Sequence, residues 1–242
     1  MTRQVFTEDA YAQTCDAVVV AVSADGIELD QTVFYATSGG QPGDSGFLER
    51  ADGSQIVITG VRYADGSKIT ILHEIEDGAA LPDVGEKLIA HIDWERRHRL
   101  MRMHTACHLL SVALPLPITG AAVSETDSRI DFDMTETADK AELTAKLMEL
   151  VEGNHSVFTR WITPDELAAN PGLVKSKNVR PPTGVDRIRL VCIGDDAVVD
   201  SQPCGGTHVS ETGEIGEIHI GKIEKKGREN RRMRIRFGPL PQ

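Results

Sequence analysis

The first ninety residues alternate apolar and polar positions over short runs, each closed by a turn signal. CDAVVVAV is followed by the turn ADG and then IELD, while SQIVITGVRY is followed by ADG and then KITILHEI. Each set predicts a β-hairpin. No convincing helical period emerges before residue 93. So many short strands predict a compact β-barrel-like or sandwich domain over residues 1–90. Around EDGAALPDVGEKL the chain turns to Gly, Pro and acid, the approach to a boundary. The period then lengthens. DWERRHRLMRMHTACHLLSVAL offers Asp93 as an N-cap and stops at Pro115, and ADKAELTAKLMELVEGNHS sets Leu143, Leu147, Leu150 and Val151 at helical spacing. Strand-like pieces lie between and after them: AAVSETDSRIDFDM, SVFTRWIT, DRIRLVCIG, AVVDSQ, EIGEIHIGKIEKK and RRMRIRFG. The expected fold class is α+β, an N-terminal β-barrel-like domain followed by an antiparallel-sheet-plus-helices domain over residues 91–242. No internal repeat or low-complexity segment interrupts it.

Composition changes this picture little. No apolar run approaches the ~20 residues that span a bilayer, so no membrane partner is expected. The N-terminus lacks the basic-then-apolar pattern of a secretory signal. Cys15, Cys107, Cys192 and Cys204 are irregularly spaced. They predict a reducing, cytoplasmic setting in which a cysteine near histidines serves as a metal ligand.

Charge changes it more. A net charge of -11 argues against a nucleic-acid partner, yet it is unevenly spread. Residues 1–90 carry 5 Lys/Arg against 15 Asp/Glu, whereas residues 91–242 carry 21 against 22. Lys222 to Arg236 holds 8 basic and 2 acidic residues. Such a stretch is either a phosphate-contacting stripe or a strand pair compensated by acidic neighbours.

Within the first helical stretch His104 and His108 stand four apart, one turn along the same face, where two imidazoles can share a metal ion. Cys204 and His208 flank Gly205 and Gly206, whose small size lets the backbone turn both side chains inward. Three nitrogens and one sulfur form a borderline-soft set suited to zinc. Closed, such a site staples a helix to a loop; with an open position it binds a water or a substrate group. A further loop, FYATSGGQPGDSG, carries Gly39, Gly40, Gly43 and Gly46 but lacks the GK[ST] ending of a phosphate-binding P-loop. By itself it predicts a tight turn.

Taken jointly, HTACH, QPCGGTH and the preceding DWERRHRLMRMH resemble the editing domain of alanyl-tRNA synthetases, and still more the free-standing alanyl-tRNA editing proteins, the AlaX group. The family's helix motif is close to HTATHLL; here Cys107 replaces the threonine and both histidines are kept. A related motif pair occurs in bacterial threonyl-tRNA synthetases, but Phe34 to Gly46 is similar to the alanine group's FY-x-x-x-GGQ-x-x-D-x-G. The resemblance extends from about Thr32 to Phe237.

The resemblance implies a zinc-dependent hydrolase that removes the wrong amino acid from the acceptor end of mischarged tRNA(Ala), serine first and glycine second. It implies that His104, His108, Cys204 and His208 hold the Zn2+ ion, which either activates a water or holds the substrate's α-amino group. It implies that Gly39, Gly40 and Asp44 form a substrate loop, with Gln41 reaching the aminoacyl group or the terminal ribose. Thr207 or Gln41 becomes the polar partner of a serine hydroxyl, and these two are the expected catalytic residues. Arg96, Arg97, Arg231 and Arg232 become candidates to meet the acceptor stem, although paired arginines on a strand equally serve internal salt bridges. Alongside the two domains there is no room for an aminoacylation core and no ATP-binding motif, so no ATP is expected. Two other readings stay open: a zinc-stapled RNA-binding protein without catalysis, and a metal hydrolase of small amino-acid esters.

Overall fold

The computed structural model describes residues 2–76, 78–178 and 184–241. They form two compact units, Met1–His98 and Arg99–Gln242. The class is α+β, mostly antiparallel sheet with few helices, and the first unit contains a closed barrel, as the alternation predicts. No helix among the described residues is long and apolar enough to cross a membrane.

The first unit begins with β1 (Arg3–Gln4), the single turn α1 (Val5–Glu8), β2 (Thr14–Ser23), β3 (Gly26–Leu29) and β4 (Gln31–Thr32). It continues with β5 (Gly46–Glu49), β6 (Gln55–Tyr63), β7 (Ile71–Ile75) and β8 (Lys87–Ile92). Six of these strands close in the order β2-β3-β7-β6-β5-β8, and both expected hairpins, β2-β3 and β6-β7, are present. Val19, Ile27, Leu29, Leu48, Ile58 and Ile71 fill the interior with essentially no exposure. Strict alternation along β6 would turn Arg62 inward after Ile56 and Ile58. A register shift between Ile58 and Gly60 turns Val61 inward instead. Bulges of this kind bend a strand and raise its twist, which a barrel of six strands needs.

His73 of β7 sits wholly inside this apolar core. Its Nδ1–H donates to the Ile27 carbonyl at 3.0 Å, and its Nε2 accepts from the Thr32 hydroxyl at 2.8 Å. Burial lowers the imidazole to about 4, from 6.5 in an open chain. The unfolded chain therefore takes up the proton first. Stability is unaffected above pH 6.5 and falls as pH drops toward 4, by about 3 kcal/mol in total. Urea denaturation at pH 7 and pH 4.5 is expected to show wild type losing about 2–3 kcal/mol more than His73→Gln. Equal losses would remove His73 as the cause.

The helix α2 (Trp94–Ala113) follows, with the Asp93 carboxylate accepting from the Arg96 amide at 3.1 Å as the expected N-cap. From Leu100 to Ser111 nearly every residue is buried, polar ones included. That is why the apolar stripe is hard to see in its sequence: a helix enclosed on all sides has no polar face to mark.

The second unit continues with β9 (Ile118–Ala122), β10 (Asp127–Asp133), α3 (Lys140–Glu152), β11 (Val157–Ile162) and α4 (Pro164–Ala169). It ends with β12 (Ile188–Ile193), β13 (Asp200–Pro203), β14 (Ile218–Gly227) and β15 (Asn230–Phe237). One sheet runs β14-β15-β10-β9 and another β11-β12-β13, every pair antiparallel. The helix α3 buries Leu143, Leu147 and Val151, and its Thr144 hydroxyl accepts from the Ile220 amide of β14 at 3.1 Å. The short α4 carries a Thr163/Glu166 capping box with Pro164 at its first position, a start signal legible in TPDE.

Candidate metal centre

The four residues singled out from the motifs come together. One ligand atom from each of His104, His108, Cys204 and His208 lies within 4.8 Å of all the others. His104 and His108 project from adjacent turns of α2, their ring centroids 5.4 Å apart. Cys204 follows the last residue of β13, and its Sγ stands 3.5 Å from His104 Nε2 and 3.4 Å from His208 Nε2. The amide of Gly206 lies 3.4 Å from the same sulfur, and the Arg189 guanidinium donates to the Cys204 and Gly206 carbonyls at 3.0 and 2.8 Å. A methyl group at Gly205 would meet nothing, so the close fit of this turn rests on the arginine rather than on that glycine.

Two of the three imidazoles are aimed by what their other nitrogen meets. His108 Nδ1–H donates to Asp200 at 3.2 Å. Asp200 is held in turn by Gln202 Nε2 at 2.8 Å and by an ion pair with Lys175. His208 Nδ1–H donates to the Thr105 hydroxyl at 3.1 Å, while that hydroxyl donates to the Met101 carbonyl at 3.0 Å. Both rings thus turn Nε2 toward the centre, the arrangement that partner groups enforce around metal-bound histidines.

The electrostatics agree. Burial opposes ionisation of Cys204, but the His104 and His208 imidazoles outweigh it and hold the thiol well below its ordinary value. Burial and neighbouring His104 likewise push His208 well below its usual value, keeping it a neutral ligand. Burial opposes charge on His108, yet the Asp200 hydrogen bond and Cys204 raise it to about 9. A thiolate and a neutral His208 face one point together with His108, which gives up its Nε2 proton when a metal ion binds; such a set can hold a metal ion. Asp200→Asn is expected to weaken metal affinity about 10–100-fold without unfolding the chain. Competition against a chromophoric chelator measures it; unchanged affinity would leave Asp200 a purely structural partner.

Asp200, Thr105 and Lys175 were not singled out from the sequence. The signal for Asp200 was present, since Asp200, Gln202 and Cys204 alternate along one face of a strand. Lys175, 25 residues before its partner, left no local trace.

The glycine-rich loop lies in the first unit. Ser38 and Gln41 exchange backbone hydrogen bonds at 3.1 and 2.9 Å around Gly39 and Gly40, whose φ values are 58° and 84°. Two positive φ angles in a two-residue loop are the reason for the glycine pair. Gly43 meets a second limit, since a Cβ there would lie 2.2 Å from the Val61 carbonyl oxygen. The Gln41 residue is buried, and Asp44 accepts from the Tyr35 amide at 2.6 Å. Thr207, in the second unit beside His208, is also buried.

The arginines correct the expectation of tRNA contacts. Arg97 has no exposure: its Nε donates to Asp44 at 3.0 Å, and its remaining nitrogens pair with Asp44 and donate to the Val33 and Ala10 carbonyls. Arg231, 7% exposed, spends its donors on the Gly227, Asn230 and Thr135 carbonyls. Arg232 makes a two-point pair with Asp131, both contacts 2.8 Å. These three serve the internal pairing that the sequence left as the alternative. Arg96 is half-buried and donates to the Gly43 carbonyl at 2.7 Å. Exposed charge on this basic stretch belongs to Lys222, Lys225, Lys226, Arg228 and Arg236, with Lys226 paired to Glu224 and Arg236 to Asp127.

Residues 188–234 match the family described as threonyl and alanyl tRNA synthetase second additional domain, and residues 4–96 match tRNA synthetases class II (A). The alanyl-tRNA editing protein AlaX-M of Saccharolobus solfataricus is 32% identical over 237 residues, covering 96% of this chain and 98% of that protein. AlaX-M of Methanosarcina mazei is 36% identical over 246 residues, covering 96% and 95%. The alanine–tRNA ligase of Pyrobaculum aerophilum is 36% identical over 236 residues, which are 93% of this chain and 25% of the ligase.

Proposed function

The chain belongs to the family of alanyl-tRNA editing proteins, and from that premise we propose that it is a zinc-dependent deacylase acting in trans on mischarged tRNA(Ala). Ser-tRNA(Ala) is the principal substrate and Gly-tRNA(Ala) the secondary one. The observation that carries this reading is the donor cluster. Zinc bonds of about 2.3 Å to sulfur and 2.05 Å to nitrogen, at tetrahedral angles, separate the two atoms by about 3.5 Å. The Cys204-to-imidazole distances are 3.5 and 3.4 Å. His104, His108, Cys204 and His208 would hold the ion. Bound there, zinc would activate a water or hold the substrate's α-amino group, through a further coordination position or the release of one protein ligand.

The protein's own part is positioning. An aminoacyl ester is already activated, so orientation and a few fixed donors suffice. Thr207, beside His208, is assigned to the serine hydroxyl, with Gln41 assigned to the aminoacyl group or the terminal ribose. A site built around a hydroxyl rejects alanine because alanine leaves a buried polar group unpaired. Glycine discrimination needs exclusion of a methyl group instead, so selectivity against alanine is stronger on the serine side. Lys222, Lys225 and Arg228 are assigned to the phosphates of the acceptor stem, replacing Arg97, Arg231 and Arg232. Residues 1–90 and 91–242 are taken as the barrel and editing domains, and a cytoplasmic location suits a reduced Cys204.

The test is release of serine from preformed Ser-tRNA(Ala) by zinc-loaded protein, with Ala-tRNA(Ala) as control, at fixed salt. Release from the first and not the second is expected. Intact Ser-tRNA(Ala) would sink the substrate assignment. Release from a seryl ester lacking the tRNA body, at the same rate, would favour the small-ester reading.

A further inference from the structure

Among the described residues the strand β11 lies at the edge of its sheet with β12 as its one strand partner, while the Val157 amide at its start donates to the Ser210 carbonyl at 2.7 Å. Its Trp161 is 52% exposed, although the chain's other tryptophan, Trp94, packs against Tyr11 and His98. Trp161 lies directly opposite Arg189, and the Cys204 amide donates to the Arg189 carbonyl at 3.2 Å, continuing the β12-β13 ladder by one pair beyond Leu190 and Pro203. Trp161, Arg189 and Cys204 therefore form one cross-strand row. Residues opposite one another in a sheet share a face. On β13 that face also carries Asp200 and Gln202, which reach His108 and Ser111 of α2. The indole thus projects from the side of the sheet that holds the cluster. Two strand spacings of about 4.8 Å put its Cα about 10 Å from that of Cys204.

Burial along the row explains the rest. Arg189 is half-buried and occupied with the Cys204–Gly206 turn, whereas Thr159 and Trp161, on the same face, are exposed. A large flat apolar ring is left open to solvent beside the reaction centre, about one nucleotide's reach away. Aromatic rings in that position stack single-stranded bases whatever their identity. We propose that Trp161 is the stacking platform for the terminal nucleobase of the single-stranded 3′ end whose ester is cleaved at the cluster. The proposal rests on the deacylase reading and deepens it. It makes Trp161 a positioning residue: it touches the base and fixes the ribose, and takes no part in bond breaking.

The experiment uses the full chain in a Trp94→Phe background, so that indole fluorescence reports Trp161 alone. Unacylated ACCA oligonucleotide is titrated in, and Ser-tRNA(Ala) deacylation is measured in parallel for Trp161→Ala, Trp161→Phe and Phe158→Ala. Saturable quenching by ACCA is expected. Trp161→Ala should raise KM about tenfold, the loss of one base stack, with kcat and zinc content unchanged. Trp161→Phe should restore most of the affinity, and Phe158→Ala, on the opposite face, should match wild type. Absence of quenching, or a loss in kcat or zinc content in place of the KM effect, overturns the proposal. So does protein-concentration-dependent quenching without oligonucleotide, which would assign the indole to a second copy of the chain. If ACCA quenches Trp161 while Ser-tRNA(Ala) stays intact, the platform stands and the substrate reading fails. If Ser-tRNA(Ala) is cleaved with KM unmoved by Trp161→Ala, the substrate reading stands and the platform fails.

Discussion

Replacing His104 by alanine is expected to lower Ser-tRNA(Ala) deacylation by about a thousandfold or more, with bound metal lost and secondary structure retained. His104 supplies one of four donor atoms, and its Nε2 lies 3.5 Å from the Cys204 sulfur. Removing it leaves three ligands, takes away a group that keeps Cys204 ionised, and opens a space that water fills. Loss of a Lewis acid worth several kcal/mol at the transition state amounts to several powers of ten in rate. Chelation of the wild type should give the same loss, reversed by adding zinc back, whereas the variant should not recover. Full activity in a metal-free variant would reduce the cluster to a staple. Unfolding of the variant would be visible by circular dichroism, and the chelation arm would then decide the matter in native protein.

Arg97→Met is expected to destabilise the first unit by about 3–5 kcal/mol, the cost of leaving a buried carboxylate without its cation. Asp44 is 1% exposed and Arg97 not at all, so water cannot replace the lost partner. Lysine at this position should recover little. Arg97 ties Asp44 and two carbonyls through a planar fork, and an ammonium cannot reach all three. Adding Asp44→Asn to Arg97→Met should return part of the loss, because the stranded charge is removed. Urea denaturation of the two single variants and the double variant measures the coupling. Additive losses would mean the pair contributes nothing beyond its separate contacts. Since Asp44 also accepts from the Tyr35 amide and belongs to the loop of Gly39, Gly40 and Gln41, the same change should loosen that loop.

The donor cluster that could hold a metal was legible because its chemistry is carried by rare residue types at spacings with local meaning. Four residues along a helix return His108 to the face of His104 whatever surrounds them. The barrel was legible for a similar reason, since alternation in short runs leaves few ways to cover an apolar face. Legibility failed where the deciding partner was distant in the chain. DWERRHRLMRMH reads as a basic helix start, and Arg97 looks like a surface cation until Asp44, 53 residues earlier, comes to lie beside it. Arg231 and Arg232 failed in the same way, because carbonyls of a neighbouring strand end and Asp131 absorb their charge.

From the sequence alone come the α+β class, the barrel with its two hairpins β2-β3 and β6-β7, the helices α2 and α3, the family resemblance and the His, His, Cys and His donor set. These depend on periodicity and on residue chemistry, both of which are local. Only the tertiary structure decided which cations are spent internally, that Asp200 and Thr105 aim the imidazoles, that β6 bulges at Gly60, and that Trp161 stands two strands from Cys204. Each of those depends on the register between strands or on the desolvation of a charge, quantities that no stretch of sequence carries before the chain has closed on itself.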